Sequence, residues 1–413
     1  MSELSGTSDG AGSLLLLTQH AHPRPAAAAR RLRQLAEWGL ERFTRVFAIR
    51  GDRESYAGAE VPGVITYPIP LRDLRSSLRQ SGPAIATPPS GLLAALVPFR
   101  QAFPFLYLTD DGGLPYRRSA LTQACKLIDT EGVTTILSSF RPWSDHLVAR
   151  ELKRKYPHLH WIADFRDLHA DPVRRDVWWP ALQKRWARRV LRTADEVWGV
   201  SEGQVRHLRE LYPTATVHRS RLDRLPPAVT APRTERFTLV YTGSLYAKLQ
   251  SIDPLRRALV DLVQRKQVDP REIELIYRGK DRRVWETWTA DFPTGIQLNS
   301  GDRIAPASAQ KLQENAQLLL LLNWSADDYY GVLTAKLYDY LAAGRPILAL
   351  VNGPDDPELR QIIERSSAGK VFARSDSMEG WLLQCYQEWK ASGGKYPWSC
   401  NLRVLRRYFS GQG

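Results

Sequence analysis

The feature that most restricts the fold is an alternation: from Ser13 onward, short apolar runs are separated by stretches whose apolar residues recur at helical spacing. Such runs are too short for buried helices but suit buried strands, and alternation with amphipathic helices marks βα units stacked on parallel sheets. The strands expected are residues 13–18, 45–49, 64–67, 135–138, 161–164 and 196–200, then 238–242, 273–278, 296–298, 318–323 and 347–351. Between the two series, residues 219–236 read RSRLDRLPPAVTAPRTER, Pro-rich, charged and without period, which is the texture of a linker. The pattern predicts an α/β protein of two doubly wound, Rossmann-like domains, residues 1–222 and 223–390. A ligand is expected in a central cleft that the strand ends face.

At 413 residues and 43% hydrophobic, the chain is long enough for two cores. Its net charge of +14 asks for an anionic partner: nucleic acid, an anionic membrane surface or a phosphorylated small molecule. Residues 1–222 hold 32 Lys/Arg against 22 Asp/Glu, or +10 of that total. The arginines are scattered among acids and form no compact basic-aromatic motif, so nucleic acid is not the expected partner. Cys125, Cys385 and Cys400 show no metal spacing, which fits a reduced cytoplasm. No stretch reaches the roughly 18 apolar residues of a spanning helix. The opening MSELSGTSDGAGS lacks the basic and apolar parts of a signal peptide. A cytoplasmic protein is expected, peripheral on the inner face of the cell membrane if it meets lipid at all. Two segments bear on that contact. Residues 172–196, PVRRDVWWPALQKRWARRVLRTADE, read as an amphipathic helix with Trp179, Leu182, Trp186 and Val190 on one side. Arg185, Arg188, Arg189 and Arg192 surround the other side, so the helix either lies on an anionic bilayer or packs its tryptophans on its own domain. The apolar segment Ala84–Leu108 is the second.

Residues 331–348, GVLTAKLYDYLAAGRPIL, carry the sharpest chemical signal. Thr334 is a suitable N-cap, and Gly344 before Pro346 is a suitable stop. Lys336 then falls in the first helical turn, where a cation opposes the helix dipole. An anionic ligand resolves the conflict, because free N–H groups at a helix start and a lysine together make a phosphate site. Asp339 lies one turn on, placed to accept hydrogen bonds from sugar hydroxyls. The alternative is a solvent ion pair between Lys336 and Asp339.

Several stretches in this order resemble the retaining GT-B glycosyltransferases of glycosyltransferase family 4, over nearly the whole chain. FTLVYTGSLYAK resembles the strand and loop that open that family's donor domain, and KLYDYLAAGRPIL resembles its helix bearing the second of two paired glutamates. LLLLTQHAHPRPAAAARRLRQLAEWG resembles its opening strand, phosphate loop and helix. SSFRPWSDHLVARELKRKYPHLHWIADFRDLHADP and RTADEVWGVSEGQVRHL resemble the later parts of its first domain. The resemblance implies retaining transfer of a sugar from a nucleotide sugar to a glycan, a lipid-linked or another hydroxyl acceptor, as in surface polysaccharide or glycoconjugate synthesis. It implies no cofactor and no obligatory metal, the diphosphate being stabilised by basic side chains and N–H groups. It also implies that residues 391–413 form a last segment crossing back to the first domain.

On this resemblance the donor site comprises Gly243, Ser244, Lys248, Arg278, Arg303, Gly331, Thr334, Lys336 and Asp339. Asp339 stands at the second glutamate and Gly331 at the first, where the carboxylate is missing. The arginine usual after the glycine of the Gly243 loop is also missing, leaving Lys248 to act alone or with Arg278; the alternative for Lys248 is a solvated loop lysine. Asp302–Ile304, with Arg303, stand where the family's backbone reads the nucleobase, or form a plain surface turn. Paired glycines usual near Pro23–Ala27 are replaced by proline and alanine. On the acceptor side stand Arg24, His146, Asp164, Arg166 and Asp167. His146 fits the turn that keeps a histidine near the reacting sugar, or makes a local hydrogen bond at a helix start. Asp164, Arg166 and Asp167 end a strand, either binding acceptor hydroxyls, with Asp167 able to take a proton, or forming a structural ion-pair network. Lys336, Asp339, His146 and Asp167 are the catalytic candidates. A non-catalytic nucleotide-sugar or glycan-binding scaffold, or an epimerase, is compatible with the same architecture.

Overall fold

The computed structural model describes residues 12–19, 27–52, 60–71, 113–140, 142–168, 179–220, 233–326, 330–394, 400–401, 403–405 and 408. Arg24, the replaced glycines near Pro23 and the apolar segment Ala84–Leu108 lie outside them, Ala27 apart. The chain divides into two compact units, Met1–Val200 with Val205–Leu222, and Ser201–Gln204 with Asp223–Gly413.

Among the described residues the first unit holds seven strands: β1 (Ser13–Leu17), β2 (Arg45–Asp52), β3 (Val64–Pro70), β4 (Val133–Phe140), β5 (His160–Phe165), β6 (Glu196–Gly199) and β7 (Thr216–Arg219). They form one sheet in the order β3-β2-β1-β4-β5-β6-β7, paired in parallel throughout. The second unit holds β8 (Phe237–Thr242), β9 (Ile273–Arg278), β10 (Gln297–Gly301), β11 (Leu318–Trp324), β12 (Ile347–Asn352) and β13 (Gly369–Phe372). Their order is β10-β9-β8-β11-β12-β13, again parallel. In both sheets the order reverses beside the first strand, at β1/β4 and at β8/β11, where doubly wound sheets leave room for ligands at strand C-termini.

All eleven expected strands are present. Two more, β7 (TVHR) and β13 (GKVF), were not legible, because each is a four-residue edge strand mixing charged and apolar residues. The run of leucines in β11 shows how the second core is divided. Leu318, Leu320 and Leu322 enter one apolar cluster with Trp285, Leu382 and Trp389. Leu319 and Leu321 enter the cluster on the opposite face with Leu337, Tyr340 and Leu359, as the two-residue strand period requires. Leu405 is buried in that second cluster and Asn401 donates its backbone N–H to Ser366 O at 2.7 Å. These described residues of the last segment pack on the second unit.

The helix Pro180–Leu191 departs from its expected face. Its buried residues are Gln183, Ala187, Val190 and Leu191, and Trp186 meets Trp143 edge-on with ring centroids 4.8 Å apart. Trp179 and Leu182 are instead exposed, at 49% and 53%. Proline at the first helical position starts the helix at residue 180, so Trp179 precedes it.

Candidate functional site

In the second unit, the helix Ala335–Ala343 starts beside the C-terminal end of β8. Its N-cap is Thr334 and its C-cap is Gly344 in the left-handed region, φ 62°, as the sequence pattern predicts. The Thr334 hydroxyl, however, makes no capping hydrogen bond. Leu337, Tyr340 and Leu341 anchor the helix in the core. Arg345, of the Gly-Arg-Pro stop, is 2% exposed and donates to Ala316 O at 2.7 Å, so it is structural.

Lys336 crosses from this helix to the turn after β8. Its Nζ lies 3.4 Å from Ser244 O and 5.3 Å from the centroid of the Tyr241 ring, a cation–π contact. The crossing needs glycine at 243: φ there is +115°, and a Cβ would lie 2.7 Å from Lys336 Cε. Burial pulls the Lys336 ammonium down from 10.5 to about 8, against the opposing pull of Asp339 and Asp281. Lys336, Gly243 and Ser244 are thus brought together.

The turn itself is held from behind. Tyr277 donates its hydroxyl to Gly243 O at 3.1 Å, and Tyr241 donates to Ser244 O at 2.7 Å. Gly243 N–H goes to Arg278 O at 2.8 Å, and Leu245 N–H goes to Asp281 Oδ2 at 2.8 Å. Thr242 donates its N–H to Tyr340 Oη at 3.2 Å and receives Gln313 Nε2 at 2.7 Å. Tyr241 and Tyr277 stack at 6.0 Å, with Trp285 continuing the stack 5.1 Å from Tyr277. Desolvation raises the Tyr277 and Tyr340 hydroxyls to about 12, so both stay protonated. Because a trans peptide sets N–H opposite C=O, fixing Gly243 O inward turns Ser244 N–H outward. Neither Ser244 N–H nor Ser244 Oγ has a hydrogen-bond partner among the described residues. Asp281 and the tyrosine shell were missed in the sequence, although aromatic residues closing both adjacent strands, Tyr241 and Tyr277, were the signal available.

Gly331, at the position of the missing glutamate, is buried with φ +74°. Its N–H is taken by Asp356 Oδ2 at 3.1 Å, and a Cβ would meet Glu358 Oε2 at 2.4 Å. A side chain is excluded there on both counts. Burial raises both the Asp356 and the Glu358 carboxyl. Arg278 turns toward the sheet edge, donating to Asn299 Oδ1 at 2.9 Å and to Asn299 O at 3.0 Å. Lys248 and Arg303 are exposed on loops.

In the first unit, Asp164 is fully buried, accepting Arg31 Nη2 at 2.7 Å and Ser139 Oγ at 2.8 Å. Arg31 also donates to Ser220 Oγ. Asp164 therefore belongs to an internal ion pair. Arg166 Nε donates to Phe140 O at 3.0 Å, and burial lowers its pKa. Asp167 is exposed just past β5. His146, 0% exposed, has Nδ1 2.7 Å from Ser138 Oγ and Nε2 without a partner among the described residues. Phe140, Trp143 and Phe165 surround it, and burial lowers it to about 3, so it is neutral. Beside it, Asp145 accepts Gln19 N–H and the Tyr116 hydroxyl, both at 2.9 Å, which ties the end of β1 to the His146 helix.

No protein-family model matches the chain, and no curated protein matches it in sequence. Solved structures do. A sucrose-phosphate synthase from Thermosynechococcus elongatus is similar at 13% identity and TM-score 0.58, over 97% of this chain and 94% of that one. The UDP-forming α,α-trehalose-phosphate synthase of Burkholderia xenovorans, complexed with glucose-6-phosphate, is similar at 9% identity and TM-score 0.55, over 97% and 98%. The pneumococcal O-GlcNAc transferase GtfA, complexed with UDP and GlcNAc, is similar at 10% identity and TM-score 0.50, over 97% and 95%. With its two parallel, doubly wound sheets, the chain has the GT-B fold.

Proposed function

We propose that the protein is a retaining glycosyltransferase that moves a sugar from a nucleotide sugar to a hydroxyl of a glycan or lipid-linked acceptor. Surface polysaccharide or glycoconjugate assembly is the setting this reading favours. The observation that carries it is Lys336, set at a helix N-terminus across the Gly243–Ser244 turn. As the bond from sugar to phosphate breaks, negative charge builds on the leaving diphosphate. A lysine, an outward Ser244 N–H and hydroxyl, and the free N–H groups of a helix start are donors fixed in advance for that charge. Tyr241 and Asp281 add no positive charge; they hold the turn in place, so little reorganisation is needed as the charge develops. This set of donors makes a metal dispensable to the reaction. On the acceptor side, Arg166 and Asp167, at the end of β5, are the groups offered to acceptor hydroxyls. Asp164, held by Arg31 and Ser139, and the fully buried, neutral His146 against Phe165 support the end of β5 from within.

Because two of the similar structures are described as UDP-forming or as a complex with UDP, UDP-sugars head the panel to test. Incubation with each nucleotide sugar and a set of hydroxyl acceptors should release nucleoside diphosphate and give a product with the donor's anomeric configuration, read by NMR. An inverted product contradicts the retaining reading. Gly331 favours one alternative, a nucleotide-sugar-binding scaffold, because it leaves no room for the first carboxylate. Tight binding without any release of diphosphate supports that alternative. Exposed Trp179 and Leu182 beside the basic face of their helix further support attachment to an anionic bilayer. Sedimentation with vesicles containing anionic lipid should be lost at high salt.

A further inference from the structure

Strand β11 is apolar through Leu322 and then reads Asn323. By the strand's period Asn323 shares the face of Leu319 and Leu321, whose cluster includes Leu337 and Tyr340, with Leu333 packed against it. It is 2% exposed, an unusual place for an amide. Asn323 Nδ2 donates to Val332 O at 3.1 Å, while Asn323 Oδ1 is buried and has no partner among the described residues. The amide orientation follows from this contact, since turning the oxygen toward Val332 O would oppose two acceptors. Two residues beyond Val332, Thr334 Oγ1 is likewise buried and unpartnered, although Thr334 occupies the N-cap. Two oxygens therefore lack hydrogen-bond donors where β11 ends and the Lys336 helix begins, on the strand adjacent to β8. Buried polar atoms are normally matched by protein or by ordered water, and at a strand end beside the Lys336 helix a ligand hydroxyl can take that place.

We infer that Asn323 and Thr334 are the specificity-determining residues that read hydroxyl groups of the donor sugar. The inference rests on the reading above, in which Lys336 holds the diphosphate to which that sugar is joined. Gly331 excludes a side chain at the neighbouring loop position. Asn323 and Thr334 then supply as neutral oxygens the acceptors that a carboxylate would otherwise provide. A site built to hydrogen-bond a hydroxyl discriminates sharply against a sugar lacking it, because its own polar atoms would then stay unmatched.

The test is calorimetric titration of wild type, Thr334→Val, Asn323→Ala and Lys336→Ala with UDP, GDP and their glucose, N-acetylglucosamine and mannose conjugates. Thr334→Val keeps shape and breaks no hydrogen bond, so it should melt no lower than wild type; it decides the matter if Asn323→Ala fails to fold. In wild type one sugar conjugate should bind more tightly than its bare nucleotide. Thr334→Val and Asn323→Ala should lose about tenfold in that conjugate's affinity, with the bare nucleotide changed less than twofold. Lys336→Ala should lose both ligands. Equal conjugate binding in Thr334→Val and wild type, or no gain from any sugar in wild type, overturns the inference while leaving the diphosphate site standing. A purely structural role would weaken nucleotide and conjugate alike. Absence of nucleotide binding in wild type overturns the diphosphate reading itself, and this inference with it.

Discussion

Lys336 sits at the end of a helix where a cation is electrostatically disfavoured, held by a tyrosine ring, a carbonyl and the field of two carboxylates. Its ammonium titrates near 8 in the folded protein against 10.5 ordinarily. The unfolded chain therefore binds more protons than the folded one between those values, and stability rises with pH across that window. Below about 8 the buried charge is a standing cost. Lys336→Met should accordingly melt higher than wild type at pH 7, lose the rise above pH 8, and lose nucleotide binding. In wild type, affinity for a nucleoside diphosphate should fall as pH climbs past about 8, seen by calorimetry; a flat profile would separate Lys336 from the ligand. Gly331→Ala should destabilise by about 1–3 kcal/mol in chemical denaturation, from its left-handed backbone and the clash with Glu358. Lys336 was legible in sequence because its oddity is local, one residue against its own helix. The reason for Gly331 was not, since Asp356 and Glu358 come from a later loop and helix that only folding brings to it.

At the scale of elements, nine of the eleven expected strands lie inside their sheets, where burial on both faces of a parallel sheet leaves few polar residues to blur them. Of the four edge strands, β3 and β10 were still legible from the short apolar stretches at residues 64–67 and 296–298, whereas β7 and β13, with four residues each and charges among them, were not. The helix Pro180–Leu191 misled for a related reason: spacing identifies a helix with two faces, but the choice of buried face belongs to its neighbours, here Trp143 against Trp186. Asp-Phe-Arg-Asp was correctly placed at a strand end, yet its first carboxylate turned inward, because Arg31, in the helix Ala27–Leu40, supplies a buried partner. Removing one side of such a pair strands the other. Arg31→Ala should cost about 3–5 kcal/mol in urea unfolding, whereas Asp167→Ala, exposed past the strand, should leave stability within about 0.5 kcal/mol. The opposite ranking would assign the structural role to Asp167.

For the whole molecule, two doubly wound units each place their strand C-termini at a point where strand order reverses, and the candidate diphosphate site occupies that point in the second unit. The sequence showed the architecture and the lysine; it could not show the tyrosine shell or the unmatched oxygens of Asn323 and Thr334, which depend on how strands and helices meet. Among the described residues no helix is long and apolar enough to cross a membrane. The most direct measurement is thermal stability of wild type and Lys336→Ala with UDP, GDP, ADP and dTDP. At about 100 times its dissociation constant, a nucleotide that binds only the folded state adds about 2.7 kcal/mol. The account predicts that one of the four raises the melting temperature of wild type and leaves Lys336→Ala unmoved. No shift with any of them, or an equal shift in both proteins, would contradict it.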